Sequence, residues 1–145
     1  MTINQISVFL ENKSGQLAQV CKILGDNGIS LVTLSLAETQ DFGIARLIVS
    51  DHAKAETVLK EAGYLVKTTP VVAVTVPDRA GGMAQVVSTL SEKGCDIEYS
   101  YAFAFHNGEK AVLVFRFKDG AKAASVLALA GFTTLAESQI QEAAK

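Results

Sequence analysis

Asn12-Lys-Ser-Gly-Gln-Leu-Ala-Gln-Val20 returns 66 positions later as Asp78-Arg-Ala-Gly-Gly-Met-Ala-Gln-Val86. Further on, Ala53-Lys-Ala55, Val58-Leu59 and Ala62-Gly63 return 68 positions later as Ala121-Lys-Ala123, Val126-Leu127 and Ala130-Gly131. Self-similarity at a nearly fixed spacing means one supersecondary unit used twice. The spacing grows by two between Leu31/Ile97 and Asp51/Asp119, so the second copy carries two extra residues in a hairpin or in a bulge beside it.

Each copy spells the order βαββαβ. In the first, Ile6, Val8 and Leu10 alternate with Ser7 and Phe9, the period of a half-buried strand. Leu17, Val20, Cys21 and Leu24 then recur at helical spacing, and Gly28 closes that helix. A β-rich run from Ile29 to Ala37, a turn at Thr39–Phe42 and a strand from Ile44 to Val49 follow. Asp51 is placed to cap a second helix carrying Ala55, Val58, Leu59 and Ala62, ended by Gly63, and Tyr64–Val66 opens a fourth strand. The second copy repeats the series with a strand Val71–Val76, a helix face Met83, Val86, Val87 and Leu90, and a strand Ile97–Phe105. The turn His106-Asn-Gly-Glu109, a strand Ala111–Phe117, a helix capped by Asp119 and a strand near Phe132–Leu135 complete it. Lys67-Thr-Thr-Pro70 is too short a join for independent tumbling.

The expected fold class is therefore α+β: two tandem ferredoxin-like sandwiches, each an antiparallel sheet with its helices on one face. The domains are residues 1–69 and 70–145. Units of about 70 residues bury only about 60% of their unfolded surface. The chain is also rich in hydrophobic residues, at 49% with a mean hydropathy of +0.28. Packing of the copies on each other, and a homodimer, are expected. On the second strands, Tyr99, Tyr101, Phe103 and Phe105 alternate cleanly, whereas Leu31 is followed by Val32, Leu34 and Leu36 in the opposite phase. A bulge near Thr33 would reconcile the two copies. Core packing is the favoured role for the aromatic run, ahead of a pocket wall or a dimer seal.

Composition narrows function by what it lacks. Net charge is −2, with both signs interleaved and no basic stripe for a phosphate backbone, which argues against nucleic acid. No apolar run reaches the roughly 18 residues of a membrane span. The start Met1-Thr-Ile-Asn-Gln has no charged segment leading into an apolar one, so a cytoplasmic location is expected. Cys21 and Cys95 belong to no CxxC pair and read as buried reduced thiols. His52 and His106 have no ligand-spaced partner and read as solvated turn residues. No catalytic residue, metal site or cofactor is expected.

The recurring loop carries chemistry. Asn12-x-x-Gly15-x-Leu17 and Asp78-x-x-Gly81-x-Met83 each set a short polar side chain at a strand end, a glycine at a helix start and an apolar anchor one turn in. Helix starts present unpaired N–H groups and partial positive charge suited to a carboxylate, and glycine lets a ligand approach the backbone closely. Asp78, or Asn12 through its amide oxygen, is placed to accept hydrogen bonds from an ammonium group. On spacing alone, a capped helix with a tight turn accounts for the same residues.

The order βαββαβ with [Asn/Asp]-x-x-Gly-x-[Leu/Met] at the first loop resembles the ACT domain, a regulatory module that binds small ligands, mostly amino acids. The resemblance spans nearly the whole chain as two copies with no catalytic domain attached. It implies modules joined edge to edge through their second strands, with ligand held between the first loop of one and the second strand of its neighbour. Carried over, the loops contribute Asn12, Lys13, Ser14, Gly15, Gln16 and Leu17, and Asp78, Arg79, Ala80, Gly81, Gly82 and Met83. The second strands contribute Ile29, Ser30 and Leu31, and Cys95, Asp96 and Ile97. The copies differ, with Asn12 neutral where Asp78 is charged and Gln16 where Gly82 stands, so equal sites are not expected.

The expected function is a non-enzymatic sensor that binds a free amino acid between modules and signals through conformational or oligomeric change. The alternative is a ligand-free dimerisation or interaction module docking a partner enzyme. RNA binding shares the strand order but lacks basic flanks, and no acid–base pair marks an enzyme.

Overall fold

Alternation of apolar residues builds the strands, and glycine ends every helix of the two repeats. In order, the elements of the first repeat are β1 (Ile3–Glu11), α1 (Gln16–Asp26), β2 (Leu31–Glu38), β3 (Phe42–Val49) and α2 (His52–Glu61). There follow β4 (Leu65–Pro77), α3 (Gly82–Glu92), β5 (Ile97–Phe105), β6 (Lys110–Phe117), α4 (Gly120–Leu129), β7 (Thr133–Thr134) and α5 (Glu137–Ala143). The computed structural model describes residues 2–11, 13–38, 41–105 and 110–143. Asn12 of the expected loop, and the expected turn at His106-Asn-Gly-Glu109, lie outside them. Helices α1, α2, α3 and α4 stop alike. The residue after Gly28, Gly63, Gly94 and Gly131 donates its N–H five residues back, as in Ile29 to the Leu24 carbonyl at 2.9 Å and Phe132 to Leu127 at 3.0 Å. This is the Schellman closure, which satisfies carbonyls a helix end leaves unpaired.

The chain divides into two compact units. The first comprises Asn4–Thr69 with Ile140–Lys145, and the second Pro70–Gln139 with Met1–Ile3. In the first, strands run in the order β2-β3-β1-β4, with β1 antiparallel to β3 (Ile6 opposite Leu47, Val8 opposite Ala45). One face of that sheet packs Ile6, Val8, Leu10, Ala45, Leu47 and Val49 against Val20 and Leu24 of α1 and Ala55 and Leu59 of α2. Both helices therefore cover one face. Each fully buried aliphatic side chain there contributes roughly 1.5–3 kcal/mol. In the second unit the order is β4-β6-β5, with β7 paired to β4. Val72, Val74, Leu113, Phe115 and Phe117 pack there against Val86 and Leu90 of α3 and Ala123 and Leu127 of α4.

Both second strands bulge, so a bulge accounts for the change of phase within β2 but does not reconcile the copies. Leu34 lies on the helix side opposite Leu47, whereas Tyr99 and Tyr101 lie on the other face opposite Arg116 and Val114. Pairing of β2 with β3 slips between Leu31 and Thr33, and pairing of β5 with β6 slips between Ile97 and Tyr99, the equivalent place. Each bulge sets two residues against one and flips the alternation beyond it. Beyond the bulges the registers correspond, Leu34 opposite Leu47 and Ser100 opposite Phe115, as far as Glu38 with Gly43 and Ala104 with Ala111. The two extra residues of the second copy thus lie beyond those last pairs.

Several expectations are corrected. Lys67-Thr-Thr-Pro70 does hold the boundary between the units, at Thr69/Pro70, but as part of β4, a continuous strand of 13 residues, rather than as a loop. The last strand shrinks to Thr133–Thr134, and α5 follows it. The aromatic run is not core. Tyr99, Tyr101 and Phe103 stand opposite Arg116, Val114 and Val112, on the sheet face away from α3 and α4, and all three are half-buried. Cys21 and Cys95 are free thiols but half-buried rather than buried. His52 does stand at a helix start, as the first residue of α2.

Candidate functional site

Two of the helices are capped by a side chain and two are not. Asp51 accepts from the Lys54 N–H at 3.1 Å and starts α2, and Asp119 accepts from the Lys122 N–H at 3.0 Å and starts α4. Ahead of α1 and α3 stand Gly15 and Gly81 instead, in the left-handed region at φ 88° and 89°, and among the described residues no side chain caps either first turn. Backbone bonds run through both loops. Gln19 and Gln85 donate to the Gly15 and Gly81 carbonyls at 3.0 and 3.1 Å, while the Gln16 N–H reaches the Lys13 carbonyl only at 3.5 Å. A Cβ at Gly15 or Gly81 would meet nothing within 4 Å, so both helix starts are open to the approach of a ligand. Unpaired N–H groups and the helix dipole there favour an anion.

Around the first loop, Ser14 and Gly15 are exposed, while Gln16 and Leu17 are half-buried. The Lys13 ammonium donates to the Glu11 carboxylate at 2.6 Å. That hydrogen bond, and secondarily the opposite charge, holds the Glu11 carboxyl below the usual range and raises Lys13 above its own. Glu11, Lys13, Gln16 and Leu17 face Leu36 and Glu38 across a cleft of about 90 Å³. Beside it lies a wider cleft of about 410 Å³, bordered by Phe9, Glu11, Gln16, Phe42, Tyr64 and Leu65. Sequence reasoning passed over Phe42 and Leu65: Phe42 read as the end of a turn and Leu65 as an ordinary strand residue, whereas Phe42 opens β3 and both are exposed.

In the second loop Asp78, Arg79, Ala80, Gly81 and Met83 are exposed. Gly82 differs in kind from Gly81. It is buried, and a Cβ there would meet the Pro77 carbonyl oxygen at 3.0 Å, so this glycine serves packing of α3 against β4.

The expected second-strand residues lie elsewhere in each unit. Glu11 pairs with Phe42, next to the last β2 pair at Glu38, whereas Leu31 pairs with Val49 at the other end of the sheet. Ile29 is buried in the first core, the Ser30 N–H is held by the Ser50 hydroxyl at 3.0 Å, and Leu31 is exposed on the edge. In the second unit Cys95, Asp96 and Ile97 border one cleft of about 270 Å³ with Val87 and Ser91, far along the sheet from Asp78. No single unit joins its loop to its own second-strand residues. Among the described residues, no three His, Cys, Asp or Glu side chains are placed to share a metal ion, and no helix is long and apolar enough to cross a membrane.

A family model for the ACT domain pair matches residues 1–144. The chain belongs to that family. This ACT domain pair is similar to a protein of Bacteroides thetaiotaomicron of known crystal structure, with 41% identity, a TM-score of 0.92, and coverage of 98% of this chain and 97% of that one. The regulatory subunit of aspartate kinase from Thermus thermophilus, in a ligand-free form, is 15% identical with a TM-score of 0.65, covering 88% of this chain and 92% of that one. Its counterpart from Thermus flavus is 19% identical with a TM-score of 0.59, covering 88% and 91%. At those identities the two regulatory subunits share the fold. No curated protein matches the sequence.

Proposed function

We propose that this ACT domain pair is a non-enzymatic regulatory protein that binds a free amino acid at its glycine-opened loops. The observation that carries this is the pair of uncapped helix starts behind Gly15 and Gly81, in a chain that caps its other two repeat helices with aspartate. The ligand carboxylate would take the place of the missing caps at the first turns of α1 and α3. Asp78 in the second loop would accept from the ammonium group. The regulatory subunits that share the fold fit such a role. Binding would shift an oligomeric or conformational equilibrium, a coupling typically worth about 1–3 kcal/mol.

Thermal-shift titration with each proteinogenic amino acid tests it. A ligand at a hundred times its Kd adds about 2.7 kcal/mol to folded-state stability. For a chain of this size that raises Tm by roughly 5–10 °C. No shift with any amino acid would contradict the proposal.

A second function has its own supporting observation. Leu31, Leu34 and Leu36 are exposed along β2, an edge strand. Exposed apolar edges mark strand addition, here to a second copy or to a partner enzyme. If that were the whole function, association would be insensitive to every amino acid.

A further inference from the structure

The first unit carries a cleft whose rim holds apolar side chains at three positions that are polar in the second unit. Phe42 is 56% exposed and Leu65 69%, and with Phe9 and Tyr64 they border the space of about 410 Å³. Small-molecule sites span about 300–1,000 Å³ and are mostly apolar with a few polar groups. The matching positions of the second copy are Thr75 for Phe9, Lys110 for Phe42 and Thr133 for Leu65, while Phe132 matches Tyr64 and keeps an aromatic against the core in both copies. Both copies build the same sandwich, so the fold does not require apolar residues there. Large exposed apolar groups in one copy, with threonine and lysine in the other, mark a surface kept for contact.

The polar side of the cleft is formed by Glu11 and Gln16. Gln16 is the first residue of α1, whose first turn no side chain caps among the described residues. We propose that the cleft receives the side chain of the bound amino acid and that the ligand is an amino acid with a large apolar side chain. This rests on the sensor function and adds its specificity. The carboxylate lies at the first turn of α1, and the ammonium group turns to the Glu11 carboxylate beside it. The tail covers Phe42, Tyr64 and Leu65, where burial of aliphatic or aromatic surface is favourable and a charged tail would lose its hydration.

Calorimetric titration of the full chain with L-leucine, L-phenylalanine, L-alanine and L-aspartate tests this, together with Phe42→Lys and Leu65→Thr. Each substitution installs the second copy's residue at an exposed position, and circular dichroism checks that the fold is kept. Leucine or phenylalanine should bind about tenfold or more tightly than alanine and aspartate. Each substitution should remove that preference while leaving alanine binding unchanged. Alanine or aspartate binding as tightly, or both variants keeping the preference, overturns the cleft and leaves the sensor function standing. So does a Phe42→Lys variant whose only change is its oligomeric state. Absence of heat with any proteinogenic amino acid overturns both.

Discussion

Gly15 and Gly81 stand 66 positions apart in the same left-handed conformation, φ 88° and 89°, each just before a helix that begins without a side-chain cap. Open space surrounds both, so alanine at either position meets only backbone strain. Gly15→Ala and Gly81→Ala should each destabilise by about 1–2 kcal/mol, read as the urea midpoint. Gly82→Ala should destabilise for another reason, contact with the Pro77 carbonyl oxygen at 3.0 Å, by about 1–3 kcal/mol. A neutral Gly15→Ala would show that the left-handed turn is not required.

Asp51 and Asp119 should behave as an equivalent pair. Each accepts from the N–H three residues on, so Asp51→Ala and Asp119→Ala should each cost about 1 kcal/mol in urea denaturation, and Asn at either site less.

Glu56 ties α2 to β4. Its carboxylate accepts from the Lys60 ammonium and from the Thr68 hydroxyl, both at 2.6 Å. Those two hydrogen bonds, Lys60 first, hold its carboxyl below the usual range. A carboxyl lowered on folding stabilises the fold above its unfolded value, about 4.3, and that contribution is lost as pH falls through the lower folded value. The stability gap between the wild type and Glu56→Gln should therefore be full at neutral pH and shrink on acidification through that window. A gap independent of pH would contradict the assignment.

The β2 edge predicts an association. Lysine on a strand edge blocks pairing with another strand, so Leu34→Lys should move the protein toward monomer in sedimentation while keeping its circular dichroism. An unchanged sedimentation coefficient would place any self-association elsewhere.

Much of the fold was legible because local chemistry and periodicity agreed. Asp51 and Asp119 announced caps, Gly28, Gly63, Gly94 and Gly131 announced helix ends, and the clash between Leu31 and Val32-Thr-Leu34 announced a bulge. The continuity of β4 was hidden because Lys67-Thr-Thr-Pro70 has the composition of a turn, and proline cannot donate to a ladder. In the structure the Pro70 carbonyl is used instead, accepting from Arg116 at 3.1 Å. α5 was hidden because Ile140 is its single large apolar residue, too little for a helical period. The aromatic run misled because alternation tells which residues share a face, not which face the helices cover. For the site, the loop glycines could be read from spacing. The apolar corner of Phe42 and Leu65 could not, since it forms only when strand starts distant in sequence meet beside α1.

The most direct test of ligand capture at the open helix starts is amide NMR on the uniformly labelled chain, titrated with the amino acid that gives the largest thermal shift. The amides of Gly15–Ala18 or of Gly81–Ala84 should move first and saturably, and Gly15→Val with Gly81→Val should abolish the response. Saturable shifts confined to other residues, with both helix starts silent, would contradict the account.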